Sequence, residues 1–522
     1  MSAPINVWHV TREYAGIAEA GGVKDMVRGL AEAQARSDVT PSVVLPRYGF
    51  IPNTETPGTT VALFSLQLPD QDRGNARIEE QVRVTSAERN GVRLLFVDAP
   101  RFAAARDVYT YTAQDEEENR WRKRGTGHWD SHQLNLTVQK AALEAAIALG
   151  EIPDIYHCHD GHTAFLPALM REDARYQERF ARTSAVLTIH NAGAGYHQEV
   201  WDPLFARLLT GLPEGVLEKG MLNGTVDPLL LAGGYASLAT VSEQYARELL
   251  EERDREMSGG LGKTLRERGV PITGITTGID PEPWDPRPSG AGVVPFGFDP
   301  LRGDLDGKRR CRRALMERLH LQDLPEPDRC PLYAFVGRLT GQKGIEVLLE
   351  ALRVLIRTEP GRRFVILGQG EQEKEAMLSR LAAEPFSAGR LAFVPRYDAA
   401  LATLIYAASD FFLIPSAYEP CGLTDYIAQL LGSIPIVHRV GGLVKVRDGE
   451  TGFSYDMHVP AALVSAVERT TALFRGEPQT LERIRRTAFA EIFSMHTWDR
   501  VFSEGYRPLY QAAVSRDAWT RK

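Results

Sequence analysis

Cysteine is scarce in this chain. Its 522 residues hold four, Cys158, Cys311, Cys330 and Cys421, far apart and without CxxC spacing. Neither a disulfide framework nor a zinc knuckle is indicated. Long apolar runs are missing as well, and none reaches the roughly 20 residues needed to span a bilayer. The first residues, Met-Ser-Ala-Pro-Ile-Asn, show no charged segment followed by an apolar one. That argues against a secretory signal and makes a cytoplasmic enzyme the expectation. Positive charge is not in excess: Lys+Arg 61 against Asp+Glu 68 leaves a net −7. A nucleic-acid binder usually needs a clustered basic face. The two local basic runs, 120–124 and 308–313, are explained at least as well by solvated faces. No short internal repeat is visible.

What remains is an ordinary globular balance, 43% hydrophobic and 25% charged. The length suits two domains of roughly 200–270 residues. In the C-terminal half, short apolar strands at 333–336, 364–367, 391–394, 411–414 and 434–437 alternate with helical patterns at 345–356, 372–383, 399–408 and 423–431. That alternation predicts a parallel, doubly wound sheet buried on both faces. The N-terminal half uses the same grammar: strand 5–10, helix 23–35, strand 42–45, then strands at 154–157, 185–189 and 238–241. It is interrupted by a hairpin, 81–86 with 92–97, turning at Asn90-Gly91. The polar stretch 106–131 reads as a long surface loop. The charged segment 251–268 and the prolines at 281, 283, 286 and 288 mark the crossing between domains. Residues 498–522 form a last helical pattern.

Open α/β sheets bind ligands beyond the carboxyl ends of their strands. Gly337-Arg338-Leu339-Thr340-Gly341-Gln342-Lys343-Gly344 follows a strand and precedes a helix. Two cations in a glycine-rich loop at a helix start suit a diphosphate; the alternative is a solvated loop. Pro415-Ser416-Ala417-Tyr418-Glu419-Pro420-Cys421-Gly422-Leu423-Thr424 lies in the same kind of place. Glu419 there can bind sugar hydroxyls and balance charge developing at an anomeric carbon, or be a helix-start acid. Gly441-Gly442 after the next strand allow close backbone approach. In the N-terminal half, His157-Cys158-His159-Asp160-Gly161-His162 could suggest a metal site. No second ligand cluster completes one, so hydrogen bonding to a sugar or to nearby backbone is expected. His190-Asn191 is either a structural pair or a sugar contact.

Taken together these motifs resemble bacterial glycogen synthases and plant starch synthases. The pattern comprises Arg12-Glu13 with Gly21-Gly22, the His157–His162 run, Thr188-Ile189-His190-Asn191, Ala239-Thr240-Val241-Ser242, Gly274-Ile275-Thr276-Thr277-Gly278, Gly337-Arg338 with Lys343-Gly344, and Glu419-Pro420-Cys421-Gly422-Leu423. The resemblance implies two Rossmann-like domains facing a cleft, the GT-B arrangement. Their expected extents are 1–252, with 496–522 packing back on it, and 253–495. It implies retaining transfer of glucose from ADP-glucose to the 4-hydroxyl of an α-1,4-glucan, with no cofactor and no metal. By motif, Arg338 and Lys343 would hold the pyrophosphate, Glu419 and His162 the donor glucose, and Gly337, Gly441 and Gly442 the phosphate region. Gly21, Gly22, His190, Asn191, Cys421, Gly422, Leu423 and Thr424 complete the implied binding set. Asp130 would face a sugar and Tyr397 the adenine.

Three stretches depart from the family. Its first glycine motif carries a lysine where this chain has Glu19, and a carboxylate facing a diphosphate is repulsive. Either Glu19 turns away, or Lys24 or Arg12 supplies the charge, or the donor chemistry has changed. Gly161 replaces an aromatic, and Ala192-Gly193-Ala194-Gly195-Tyr196 is unusually glycine-rich. A related glycosyltransferase with a different donor, such as UDP-glucose, or a different acceptor, and a catalytically weak homologue that binds glucan or regulates a true synthase, are the alternatives these changes leave.

Overall fold

The computed structural model describes residues 4–519 apart from 53–57, 71–73, 75, 194, 252–256, 289, 291 and 323–328. The chain divides into two compact units. One holds the described residues through Gly278 together with the segment from Trp498, and the other is Ile279–Thr497.

The first unit is built on β1 (Ile5–Val10), β2 (Val39–Pro46), β3 (Thr59–Asp70), β4 (Ala76–Arg89), β5 (Val92–Asp98), β6 (Ile155–His159) and β7 (Ser184–Ile189). A small hairpin, β8 (Met221–Leu222) with β9 (Thr225–Val226), stands apart, and β10 (Ser237–Thr240) and β11 (Ile272–Gly274) finish the sheet. Strand order is β11-β10-β7-β6-β1-β2-β5-β4-β3. All neighbours are parallel except at β4, which runs antiparallel to both β5 and β3. Every residue of β6 and β7 is buried, as helices on both faces require. Asn90 and Gly91 both take positive φ, 52° and 75°, so the β4–β5 turn matches the twist of its strands.

The second unit adds β12 (Leu332–Val336), β13 (Arg363–Leu367), β14 (Leu391–Val394), β15 (Phe411–Ile414), β16 (Ile434–His438) and β17 (Phe453–Tyr455). Their order is β14-β13-β12-β15-β16-β17, and all pairs are parallel. The helix Ile345–Thr358 shows why such helices cover a sheet. It buries Ile345, Leu348, Leu349, Leu352 and Leu355, while Glu346 and Glu350 stay in water.

Several expectations need correction. The boundary at 252/253 falls outside the described residues. The chain beyond it, through Gly278, still belongs to the first unit, because β11 pairs with β10. The return comes at Trp498 rather than 496. The stretch 106–131 is not simply a surface loop. It contains the helix Ala113–Glu118, closed by a reciprocal Thr112–Asp115 cap. The basic run 308–313 is a solvated face only in part: Arg309, Arg310 and Arg313 are exposed, and the other two cations turn inward. Lys308 is buried and donates to the carbonyls of Ala407 (2.8 Å) and Ser409 (2.6 Å), and Arg312 pairs with Asp410. Burial brings the Lys308 ammonium down to about 7. Strands β3, β11 and β17, and the small hairpin, are additions to the sequence reading.

The chain's last segment closes the first core. Trp498, Phe502, Tyr506 and Tyr510 pack with Val7, Leu30, Ile155 and Val186. Trp498 lies so tightly on the helix Val23–Ala35 that a Cβ at Gly29 would overlap its indole ring. Alanine in a helix normally gains up to about 1 kcal/mol over glycine, whereas overpacking a core costs roughly 1–3 kcal/mol. Gly29→Ala should therefore lower the thermal midpoint, and a raised midpoint in calorimetry would contradict this packing.

A second stability element is the pair His197–Asp227. His197 Nδ1 donates to Asp227 Oδ2 at 2.6 Å and Nε2 to the Ala192 carbonyl at 2.8 Å. Asp227 also accepts from Leu229 and Leu230 N–H, capping the helix Pro228–Ala232. Burial alone would depress the imidazole, but the Asp227 hydrogen bond and charge outweigh it and raise the value to about 9. A raised folded value stabilises fully below the unfolded value of 6.5, and the contribution is lost as pH rises through 9. The unfolding free-energy gap between wild type and His197→Gln should thus narrow by up to about 3 kcal/mol from pH 6 to pH 10. A gap independent of pH in denaturant titrations would show that the imidazolium is not held.

Candidate functional site

In the second sheet the winding reverses between β12 and β15, whose following strands lie on opposite sides. This is where open α/β sheets leave a crevice. The loop after β12 and the loop after β15 touch there. Ala417 N–H donates to the Gln342 carbonyl at 2.8 Å, and a Cβ on Gly344 would collide with the Pro415 carbonyl. Gly344 also needs its left-handed φ of 69° to start the next helix. With the backbones this close, Lys343 and Glu419 meet: Nζ donates to Oε2 at 2.6 Å, and Ser416 Oγ donates to the same oxygen at 2.9 Å. Glu419 is buried, whereas Arg338 is exposed and has no partner among the described residues.

The loop after β16 presses in from the other side. A Cβ at Gly441 would meet the Glu419 carbonyl and one at Gly442 the Cys421 carbonyl, and Gly442 N–H donates to the Glu419 carbonyl at 2.9 Å. Lys445 lies beneath. Its ammonium donates to the carbonyls of Cys421 (2.7 Å) and Gly422 (2.8 Å) and pairs with the fully buried Asp425 at 3.1 Å. In a trans peptide the N–H points opposite to the C=O. Lys445 therefore turns the N–H groups of Gly422 and Leu423 away from itself. Those two and Thr424 N–H have no protein partner among the described residues. Burial raises Asp425 to about 6 against the pull of Lys445. Gly337 follows β12 beside Arg338, and Tyr397, 67% exposed, stands on the loop after β14.

In the first sheet the reversal falls between β1 and β6. The loop after β1 carries Gly21 and Gly22. Glu13 holds it, accepting from Gly21 N–H at 2.6 Å and Ala20 N–H at 3.2 Å, while its other oxygen accepts from the Tyr109 hydroxyl at 2.8 Å. Burial pushes the Glu13 carboxyl up, opposed by these bonds. The Tyr109 ring stacks on His162, centroids 4.6 Å apart. Burial, then the nearby Arg12 charge, keeps His162 well below its ordinary value and so neutral. Around Gly22 a Cβ would meet nothing within 4 Å.

Asp160 joins the loops after β6 and β7. It sits at φ 57°, a strained position for a non-glycine residue, and accepts from His190 N–H at 2.6 Å. Burial raises it to about 7. Asn191 Oδ1 accepts from Gly193 N–H at 2.8 Å, a local turn. His157 and His159 do not face a sugar or nearby backbone carbonyls as expected; both rings are buried and bonded to other side chains. Asp130 is drawn to Arg101 at 3.0 Å, which also pairs with Glu80, and no hydrogen bond or ion pair links Asp130 to His162 among the described residues.

The structure also resolves what Glu19 does. Its Oε1 accepts from Gly16 N–H at 2.6 Å, closing the turn in which Tyr14 bridges Ala18. Lys24 pairs with Asp25, and Arg12 is buried against Tyr48, Asn135 and the Val108 carbonyl. Both cations thus have partners within the first unit. Gly161 is explained sterically, because a Cβ would strike the His197 carbonyl. Sequence reading missed roles for Glu13, Tyr109, Lys445 and Asp425. An aromatic in the charged stretch 106–131 was the one available signal for Tyr109.

Comparison with known proteins gives a consistent family. Residues 6–267 match the model described as starch synthase catalytic domain, and residues 317–484 match glycosyl transferases group 1. The chain is 30% identical over 521 residues to the glycogen synthase of Vibrio cholerae serotype O1, covering 97% of this chain and 99% of that protein. The glycogen synthase of Streptococcus pneumoniae serotype 19F is 28% identical over 524 residues, 98% and 100% covered. Among solved structures, the catalytic domain of starch synthase IV from Arabidopsis thaliana, bound to ADP and acarbose, aligns with a TM-score of 0.78 at 26% identity, covering 98% of this chain and all of that one. Sucrose-phosphate synthase from Thermosynechococcus elongatus shares the fold at a TM-score of 0.56 and 15% identity, over 97% of this chain and all of that one. Two α/β units with parallel sheets are the GT-B architecture of these neighbours, and no helix among the described residues is long and apolar enough to cross a membrane. The chain belongs to the glycogen and starch synthase family of hexosyltransferases.

Proposed function

We propose that this enzyme lengthens an α-1,4-glucan in the cytoplasm, transferring glucose from ADP-glucose to the terminal 4-hydroxyl with retention and without a catalytic metal. The observation that carries the reading is the second unit's charge layout. One exposed guanidinium (Arg338) and three N–H groups, all without a protein partner among the described residues, and one ammonium shared with a carboxylate (Lys343–Glu419) surround a single switch point.

Breaking the glycosidic bond makes the diphosphate more negative than it was in the substrate, so fixed donors aimed at it favour the transition state. Arg338, Lys343 and the N–H groups of Gly422, Leu423 and Thr424 supply them. Glu419, hydrogen-bonded to Lys343, accepts hydroxyls of the transferred glucose and balances charge at its anomeric carbon. Neutral His162 offers that glucose a hydrogen bond without adding positive charge there. Tyr397 offers a flat exposed ring to the adenine, and Gly337, Gly441 and Gly442 leave room for the phosphates. The open space at Gly22, a glycine that its own packing does not demand, supports ligand approach at the Gly21-Gly22 loop. In this reading Asp130, His190 and Asn191 lie on the sugar side.

Transfer of labelled glucose to glycogen, with ADP-glucose and UDP-glucose in parallel, tests the reading. Incorporation from ADP-glucose is expected, and none from either donor with intact glycogen binding would refute it. Arg338→Ala and Lys343→Ala should each lower kcat by roughly 100-fold or more while weakening donor binding far less. A raised KM at unchanged kcat would deny them the leaving-group role. Because the Glu19 carboxylate is occupied by Gly16 N–H, Glu19→Lys should leave kcat within about twofold and cost about 1 kcal/mol of stability. A tenfold gain in rate would mark a site starved of charge.

A further inference from the structure

Behind the carboxyl ends of β1, β6 and β7 stand four imidazoles. His9, His157 and His159 are buried and bring ring nitrogens within 4.8 Å of one another, and His190 sits half-buried at the edge. Three histidines so close could hold a metal ion. Here each ring nitrogen of the three already has a partner at hydrogen-bond distance, and the partners form one line. His190 Nε2 lies 3.1 Å from His159 Nδ1, and His159 Nε2 3.1 Å from His9 Nδ1. His9 Nε2 lies 2.8 Å from Gln34 Oε1, and Gln34 Nε2 2.9 Å from the Tyr510 hydroxyl. That hydroxyl is 2.8 Å from His157 Nδ1, whose Nε2 is 2.7 Å from Thr188 Oγ1.

Burial brings His9 down to about 4 and His190 to about 3, and holds His157 and His159 well below the ordinary value. All four rings are therefore neutral near pH 7, with one N–H and one lone pair each. A neutral ring that donates at one nitrogen accepts at the other. A line of such rings satisfies every contact only when all its N–H groups point the same way. Two directions exist, and the carboxamide of Gln34, with one donor end and one acceptor end, selects between them. With Oε1 on His9, the N–H groups run from His190 through His159 and His9 to Gln34, then through Tyr510 and His157 to Thr188. His190 Nδ1, without a partner among the described residues, is left as an acceptor.

We infer that Gln34 and Tyr510 are positioning residues that act through His9 and His159 to fix His190 as its Nε2–H tautomer, presenting Nδ1 to a hydroxyl of the bound sugar. The identity of that hydroxyl's owner rests on the proposed transfer reaction; the tautomer does not. Tyr510 belongs to the chain's last helix, so a residue far along the sequence would help set a proton beside the strand ends.

Nitrogen-15 NMR of the full-length protein, labelled at histidine, reads the tautomer directly. The expected result is protonated Nε2 and unprotonated Nδ1 at His190. Gln34→Leu and Tyr510→Phe should each give mixed tautomers and raise the KM for glycogen about threefold or more, with kcat little changed. Gln34→Glu, which can only accept from His9, should retain the Nε2–H form. If Gln34→Leu fails to fold, Tyr510→Phe, which keeps its ring, carries the same test. Nδ1–H at His190 in the wild type, an unmoved tautomer in both variants, or an equivalent of zinc bound to the purified protein would each overturn the inference. Absence of any glucose transfer by the wild type would refute the reaction and leave the tautomer result standing.

Discussion

Two loops leave neighbouring parallel strands of the second sheet and their backbones come into contact at Gly344 and Pro415. Much of the charge layout at this switch point follows from that contact. It brings an ammonium and a carboxylate, 76 residues apart, to 2.6 Å. An isolated buried charge would be heavily penalised, but a pair with a further hydroxyl donor is tolerated. The pair thus gives the buried Glu419 a cationic partner, while the Arg338 side chain has none among the described residues. The same economy of contact recurs one layer down. Lys445 neutralises Asp425 and grips two carbonyls, so the loop above it is held without using the amides that face outward.

The first unit solves a different electrostatic problem. Its strand ends carry buried acids and imidazoles. Glu13 and Asp160 are satisfied mainly by backbone N–H groups, and His9, His157, His159 and His190 are kept neutral by burial. Hydrogen bonds therefore define much of the wall around His162, with the buried Arg12 guanidinium nearby. Such a wall orients groups by donor and acceptor direction, which suits a sugar with its many hydroxyls.

The sequence made the centre of both sheets legible, because strands covered on both faces are short, uniformly apolar and followed by helical periodicity. The glycine-rich loops at their ends were legible for the same reason. Edge strand β3 was not, since its half-exposed residues interrupt the apolar signal. Lys308 misled because a helix of mean polar character can still bury one lysine beneath carbonyls supplied by distant loops. Lys445 and Asp425, and Glu13 with Tyr109, were beyond reach: each pairing joins loops that only the folded sheet brings together. Asp130 entered only through the family resemblance, and its capture by Arg101 depends on a contact between distant segments.

Gly161 and the glycine-rich stretch 192–196 look in the sequence like two separate departures from the family. The His197 carbonyl, lying where a side chain on residue 161 would begin, makes them one. A side chain at 161 and this course of the 196–197 backbone exclude each other, so any larger residue there would require the loop to move as a whole.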